Sequence, residues 1–177
     1  RVLFCSLFAQ LMPGKEGEAV STAITDNYDV LYGRMPENYD ETVIILNSNN
    51  ELSAGTLFRL GLLPADEYKE VSEKLSNGEK AELKIDKLDY AEVCKKQFKL
   101  VPECDFYVKN DAGIFKNAAD DEAEVRKLVD NAMTLKVVGV IKQNEDLDSS
   151  LINADVGYLS TLTDHIISYT DNSAVVT

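Results

Sequence analysis

Two apolar runs of strand length set the terms on which this chain can fold. Glu41-Thr42-Val43-Ile44-Ile45-Leu46-Asn47 and Leu135-Lys136-Val137-Val138-Gly139-Val140-Ile141 are rich in β-branched residues and too continuous to leave one face in water. Strands of this kind must lie inside a sheet that is covered on both sides. The stretches around them have the periodicity to supply the covers.

Helices are predicted around Glu18 to Asp26, from Ala54 to Leu60, and from Pro64 to about Leu75. Ser53 is placed to cap the second of these, and Gly61 stands where a left-handed C-terminal residue is wanted. Tyr68, Val71 and Leu75 share a face of the third, and Asn77-Gly78 stops it. Leu88 to Cys94 reads as one or two helical turns. Asp120 and Asp121 open the clearest helix, whose apolar face is Val125, Leu128, Val129, Ala132 and Met133. A last helix, marked by Leu159, Leu162, Ile166 and Ile167, runs to about Tyr169.

Further strands are predicted at Val2 to Phe8, Tyr28 to Arg34, Ala81 to Asp86, Gln97 to Val101 and Asp105 to Lys109. Asn110-Asp111-Ala112-Gly113 then turns into Ile114-Phe115-Lys116 as part of a hairpin. Gln143 to Ser150, dominated by polar residues, is expected to be mobile. Interleaved helices and strands with a hairpin in the middle define an α+β class, with a mixed sheet and flanking helices. Residues 1–177 are expected to form a single domain, in two lobes if the stretch at about 63–133 stands apart.

Charge narrows the partners. The 177 residues include 18 Lys and Arg against 31 Asp and Glu, a net charge of −13. Such a surface repels phosphate backbones and anionic lipid, so nucleic acid is not an expected partner. No apolar run approaches the roughly 20 residues of a membrane-spanning helix. The sequence starts at Arg1 and is read as a piece cut from a longer protein.

Reactive side chains are few. His165 is the sole histidine, and its neighbour Asp164 points about 100° away on a helix, so the two make no catalytic pair. Neither GxGxxG nor GxxxxGK[ST] occurs. Ser21, Ser53 and Ser160 read as caps or solvent residues. Of Cys5, Cys94 and Cys104, the last two are close enough in sequence to pair, but free thiols are the expectation. Without a CxxC or a Cys/His cluster, no zinc site is expected.

Asn144, Asp146, Asp148 and Asp155 fall at positions 1, 3, 5 and 12 of a calcium-type loop. Ser149 replaces the glycine needed at position 6, and Asp155 is one carbon shorter than the usual Glu, so a solvated loop is expected instead. Asp26, Asp29 and Asp40 lie near Tyr28, Tyr32 and Tyr39, a composition that suits either a sugar-binding patch or ordinary edge strands. No catalytic, cofactor-binding or metal residue is nominated, and no enzyme is expected.

The order of segments resembles a known family. Tyr28-Asp29-Val30-Leu31-Tyr32-Gly33-Arg34-Met35-Pro36, the acidic stretch Glu37 to Asp40 and the buried strand Glu41 to Asn47 look like the Gly-Arg step of FtsX-like ABC-transporter permeases. Leu57-Phe58-Arg59-Leu60-Gly61-Leu62, the Val137-Val138-Gly139-Val140 strand, the polar loop after it and Tyr158 before the last helix follow in the family's order. The likeness is closest to the MacB-like periplasmic core domain of Gram-positive permeases and covers roughly Tyr28 to Tyr169.

The resemblance implies a non-enzymatic extracellular domain set between two transmembrane helices, in a parent protein of the cell membrane. Its partners would be the rest of the permease, held as a dimer, and a cytoplasmic ATPase. Outside the cell they would be a peptide, antibiotic or lipoprotein substrate, or an accessory protein. The family carries no catalytic residues in this domain. Two other readings stand beside it: a free-standing acidic extracellular binding or adhesion domain, with or without calcium, and a small enzyme with a carboxylate site.

Overall fold

The computed structural model describes residues 7–15, 17–79, 87–110, 112–147 and 150–176. In chain order its elements are β1 (Phe8–Gln10), α1 (Thr22–Thr25), β2 (Tyr28–Gly33), β3 (Glu41–Leu46), α2 (Ala54–Arg59), α3 (Ala65–Ser76) and α4 (Tyr90–Val93). Then come β4 (Gln97–Leu100), a 3-10 turn (Glu103–Phe106), β5 (Tyr107–Lys109), β6 (Phe115–Asn117), α5 (Glu122–Asn131), β7 (Met133–Gln143), β8 (Val156–Tyr158) and α6 (Ser160–Asp171). The class is α+β, with a mixed sheet and flanking helices.

The main sheet runs β1-β8-β3-β7-β2, with β4 also on β7. β3 and β7 are parallel neighbours at its centre. The other edge of β7 is shared end to end by two antiparallel strands, β4 against Met133–Lys136 and β2 against Gly139–Gln143. The hairpin β5–β6 is a separate two-stranded sheet. The described residues of the stretch 63–133 therefore give one strand, β4, to the main sheet and form a hairpin of their own.

Strand alternation divides the core between the two faces of this sheet. Val43 and Ile45 point into one cluster with Leu11, Ile24, Tyr28, Ile141 and Leu159. Ile44 and Leu46 point into the other, with Leu60, Val93, Val137, Val140 and Val156. Every residue of β3 is buried, as its composition predicts. In β7 the pairing jumps from Thr42 opposite Val137 to Val43 opposite Gly139, so Val138 is an extra, bulged residue. The bulge reverses the alternation. Val137 and Val140 consequently share a face, and Ile141 goes to the other.

Several expectations are corrected in detail. The first helix shrinks to Thr22–Thr25, started by Ser21, whose side chain accepts from Ala23 N. Asp105 and Phe106 belong to the 3-10 turn, and the strand begins only at Tyr107, because Pro102 sets up the turn ahead of it. Met133 opens β7 rather than closing α5, and no residue of α5 is fully buried. Leu75 and Ile167, assigned to apolar helix faces, are exposed. Gln143, placed at the start of the polar loop, is the buried last residue of β7. The strand predicted at Ala81 to Asp86 lies outside the described residues, as does most of Val2 to Phe8.

Candidate functional site

The Gly-Arg step is built around one carboxylate. Glu41 opens β3 with its side chain only 8% exposed, and a buried charge must be neutralised and hydrogen-bonded. Arg34 supplies both: Nη2 donates to Oε1 at 2.6 Å and Nη1 to Oε2 at 2.8 Å. The backbone N–H groups of Glu37 and Asn38 donate to Oε2 at 2.8 and 3.2 Å, and Asn38 Nδ2 to Oε1 at 3.1 Å. The Arg34 bond above all, helped by those loop donors, holds the Glu41 carboxyl well below the usual carboxylate range. The turn between β2 and β3 is thus closed around its own last residue.

The same turn reaches the last helix. Tyr39 stacks on His165 with ring centres 4.3 Å apart and planes 15° from parallel. Asp40 accepts from Lys136 Nζ at 2.7 Å. Earlier on α6, Thr163 Oγ1 donates to Gln10 Oε1 at 2.8 Å; later, Tyr169 Oη donates to both oxygens of Asp105, at 2.9 and 3.1 Å. α6 therefore crosses the end of the sheet from β1 to the turn after β4. The Asp105 bond is the main reason the Tyr169 phenol is pushed up from its ordinary range.

Between α6, α5 and β5 runs an open groove of about 950 Å³. Val108, Leu128 and Met133 line it with apolar surface, Asn131 and Asn172 with amides, and Asp105 and Tyr169 with their hydrogen-bonded pair. His165 lines it too, and so belongs to both the groove and the β2–β3 turn. The arrangement suits recognition of a ligand with apolar and polar parts.

The other residues singled out from the sequence are dispersed. Cys94 is a half-buried free thiol that burial pushes up from its ordinary pKa, and Cys104 is a buried free thiol 3.8 Å from Thr170 Oγ1. Cys5 lies outside the described residues. Asp155 accepts from Thr56 Oγ1 at 2.6 Å, Glu145 from Lys142 Nζ at 3.0 Å, and Asn144 is tied by its amide to the Asp26 carbonyl. Asp148 and Ser149 are not described. Among the described residues no three His, Cys, Asp or Glu side chains gather where they could hold a metal ion. Tyr28 is buried and bonds Ser150 and Ile152 N, at the far end of the sheet from Tyr39.

Sequence reading missed both the Arg34–Glu41 pair and the groove. The first had a signal: Glu41 is the one charge in an otherwise apolar run, and such a charge requires a partner. The groove had none, since its walls come from segments that only the fold brings together.

No protein-family profile, curated protein or solved structure matches this chain.

Proposed function

We propose that this chain is the extracellular domain of an FtsX-like ABC-transporter permease, of the MacB-like periplasmic core type. Its role is to couple the motion of a cytoplasmic ATPase to substrate export or to an extracellular accessory partner. No catalytic step is assigned to it. The parent protein is a dimer in the cell membrane.

One observation carries the reading. The segments that resemble the family are far apart in sequence yet contiguous in the fold. Gly33 pairs with Gly139, Glu41–Leu46 runs beside Lys136–Lys142, and Thr42 pairs with Tyr158. Motifs that make one structural unit are those a family would share as a set.

The fold also adds a requirement. Leu7 sits beside Asp155 and Val156, at the end of the sheet where β3 finishes, whereas α6 crosses the end where β3 starts. For both flanking segments to reach one membrane face, chain outside these points must run back along the sheet. The distance is about 20 Å, the rise of six extended residues. No helix among the described residues is long and apolar enough to cross a membrane.

The test uses the full-length protein in its own cells. An antibody raised against this folded domain should bind intact cells, and an ATPase subunit should copurify with the detergent-solubilised protein. Antibody binding only after lysis, or a protein released without membranes, overturns the reading.

A further inference from the structure

The groove beside α6 is lined almost entirely by uncharged residues. Among the described residues that line it, Asp105 is the one formally charged and none is a lysine or arginine. Bases of the neighbouring elements have partners of their own. Arg126 and Lys127 of α5 bond Glu122 and Glu124 at 2.7 and 2.6 Å. Lys99 Nζ donates to Thr134 Oγ1 at 2.9 Å and to the carbonyl of the lining residue Ala132 at 3.4 Å, and Lys109 lies over the Phe115 ring. Glu103, Asp130, Asp164 and Asp171 flank the lining residues in sequence. The two oxygens of Asp105 share the single Tyr169 phenol proton and Oδ1 also faces the Cys104 thiol at 3.7 Å, which leaves carboxylate lone pairs for a further donor.

The groove's apolar surface is also thinly covered. α5 has no fully buried residue, and both Tyr107 and Val108 of the hairpin are exposed. A two-stranded hairpin that buries so little is marginal by itself. Whatever covers this face must therefore be apolar where it meets Val108, Leu128 and Met133, and positively charged where it meets Asp105. A second copy fails the electrostatic requirement, since each chain carries −13.

We propose that the groove between α5, β5 and α6 is a docking site for a basic peptide segment bearing large apolar side chains. An apolar side chain packs on Leu128 and Met133. A lysine or arginine of the same segment reaches Asp105, and Asn131 and Asn172 meet the peptide backbone. The proposal stands on the groove alone and goes beyond the permease reading; its failure would leave that reading untouched.

The test is a titration of the purified chain against a short fluorescent peptide alternating Lys and Leu, followed by anisotropy. Diffuse attraction to the acidic surface is the competing explanation, so the variants are matched for charge. Leu128→Lys and Asp105→Asn should each weaken binding by about tenfold, the loss of one anchoring contact. Leu75→Lys makes the same charge change at an exposed position on α3 and should leave the affinity within about twofold. A peptide alternating Glu and Leu should not bind. If Leu128→Lys loses its helical signal, Ser168→Trp, which fills the groove from an exposed position, replaces it and should also weaken binding about tenfold. Equal effects of Leu75→Lys and Leu128→Lys overturn the proposal, as does equal binding of the acidic peptide. So does a dimer in sedimentation that Leu128→Lys disrupts, which would make a second copy the occupant.

Discussion

Gly33 and Gly139 are cross-strand partners between β2 and β7, and each excludes a side chain from the other's surroundings. A Cβ on Gly33 would strike the Val138 carbonyl oxygen, and one on Gly139 the Arg34 carbonyl oxygen. Gly33 also has φ +70°, a left-handed conformation that other residues adopt at a cost. Gly33→Ala and Gly139→Ala are each expected to destabilise by about 2–4 kcal/mol, because backbone must move. Gly61→Ala is the control. Its φ is +65° but its surroundings are open, so about 1 kcal/mol is expected. Urea unfolding midpoints give the comparison, and equal losses at Gly61 and Gly139 would contradict it.

Glu41 makes stability depend on acid. Its pKa is depressed in the folded chain, whereas an unfolded Glu titrates near about 4.3. The pair with Arg34 therefore contributes fully above that value and is lost as pH falls toward the folded one. Glu41→Gln should cost about 2 kcal/mol at neutral pH and make the melting temperature less sensitive to pH below about 5. Parallel melting curves for the two proteins through that range would show that Glu41 is not the group responsible.

Thr56 ties α2 to the strand region before β8. It is buried, donates its one hydroxyl proton to Asp155 Oδ2 at 2.6 Å, and therefore accepts from Ser53 Oγ at 2.9 Å. Thr56→Val keeps the shape and leaves the Asp155 carboxylate without that donor, at a cost of about 1–3 kcal/mol. Thr56→Ser keeps the hydroxyl and should lose less. Chemical denaturation of both variants checks the order; a Ser variant as unstable as the Val variant would point to packing instead.

The two described thiols should remain unpaired. Cys94 sits among the core residues under β7, and Cys104 beside Thr170, in different parts of the fold. Alkylation without reductant, after denaturation, should modify both, and mass spectrometry should find no Cys94–Cys104 cross-linked peptide. In the native protein Cys94 should react slowly, since its half-burial favours the neutral thiol.

Much of the framework can be read from local chemistry. A continuous β-branched run has no solvent-facing side in any context, so β3 and β7 lie where Glu41–Asn47 and Leu135–Ile141 predict them. Ser53 and Asp121 accept from the first-turn N–H groups of α2 and α5, and Gly61 takes its left-handed conformation, because caps act within a few residues. β8 is not legible. Three residues are too few to show a period, and Gly157 gives no pattern at all. The periodicity of α5 is clear but says nothing of how deeply its apolar face is covered. Groove residues from Pro102 to Val175 are joined only by tertiary folding, which no local pattern encodes.

The extra residue in β7 has a consequence for how this strand can vary. Val138 divides the strand into two halves whose inward and outward positions are out of phase. Removing it, or adding one residue elsewhere in β7, would slide one half into the other's phase and turn Val137 or Ile141 toward the wrong layer. Length changes are therefore confined to the turns, and the centre of this sheet can change only by substitution.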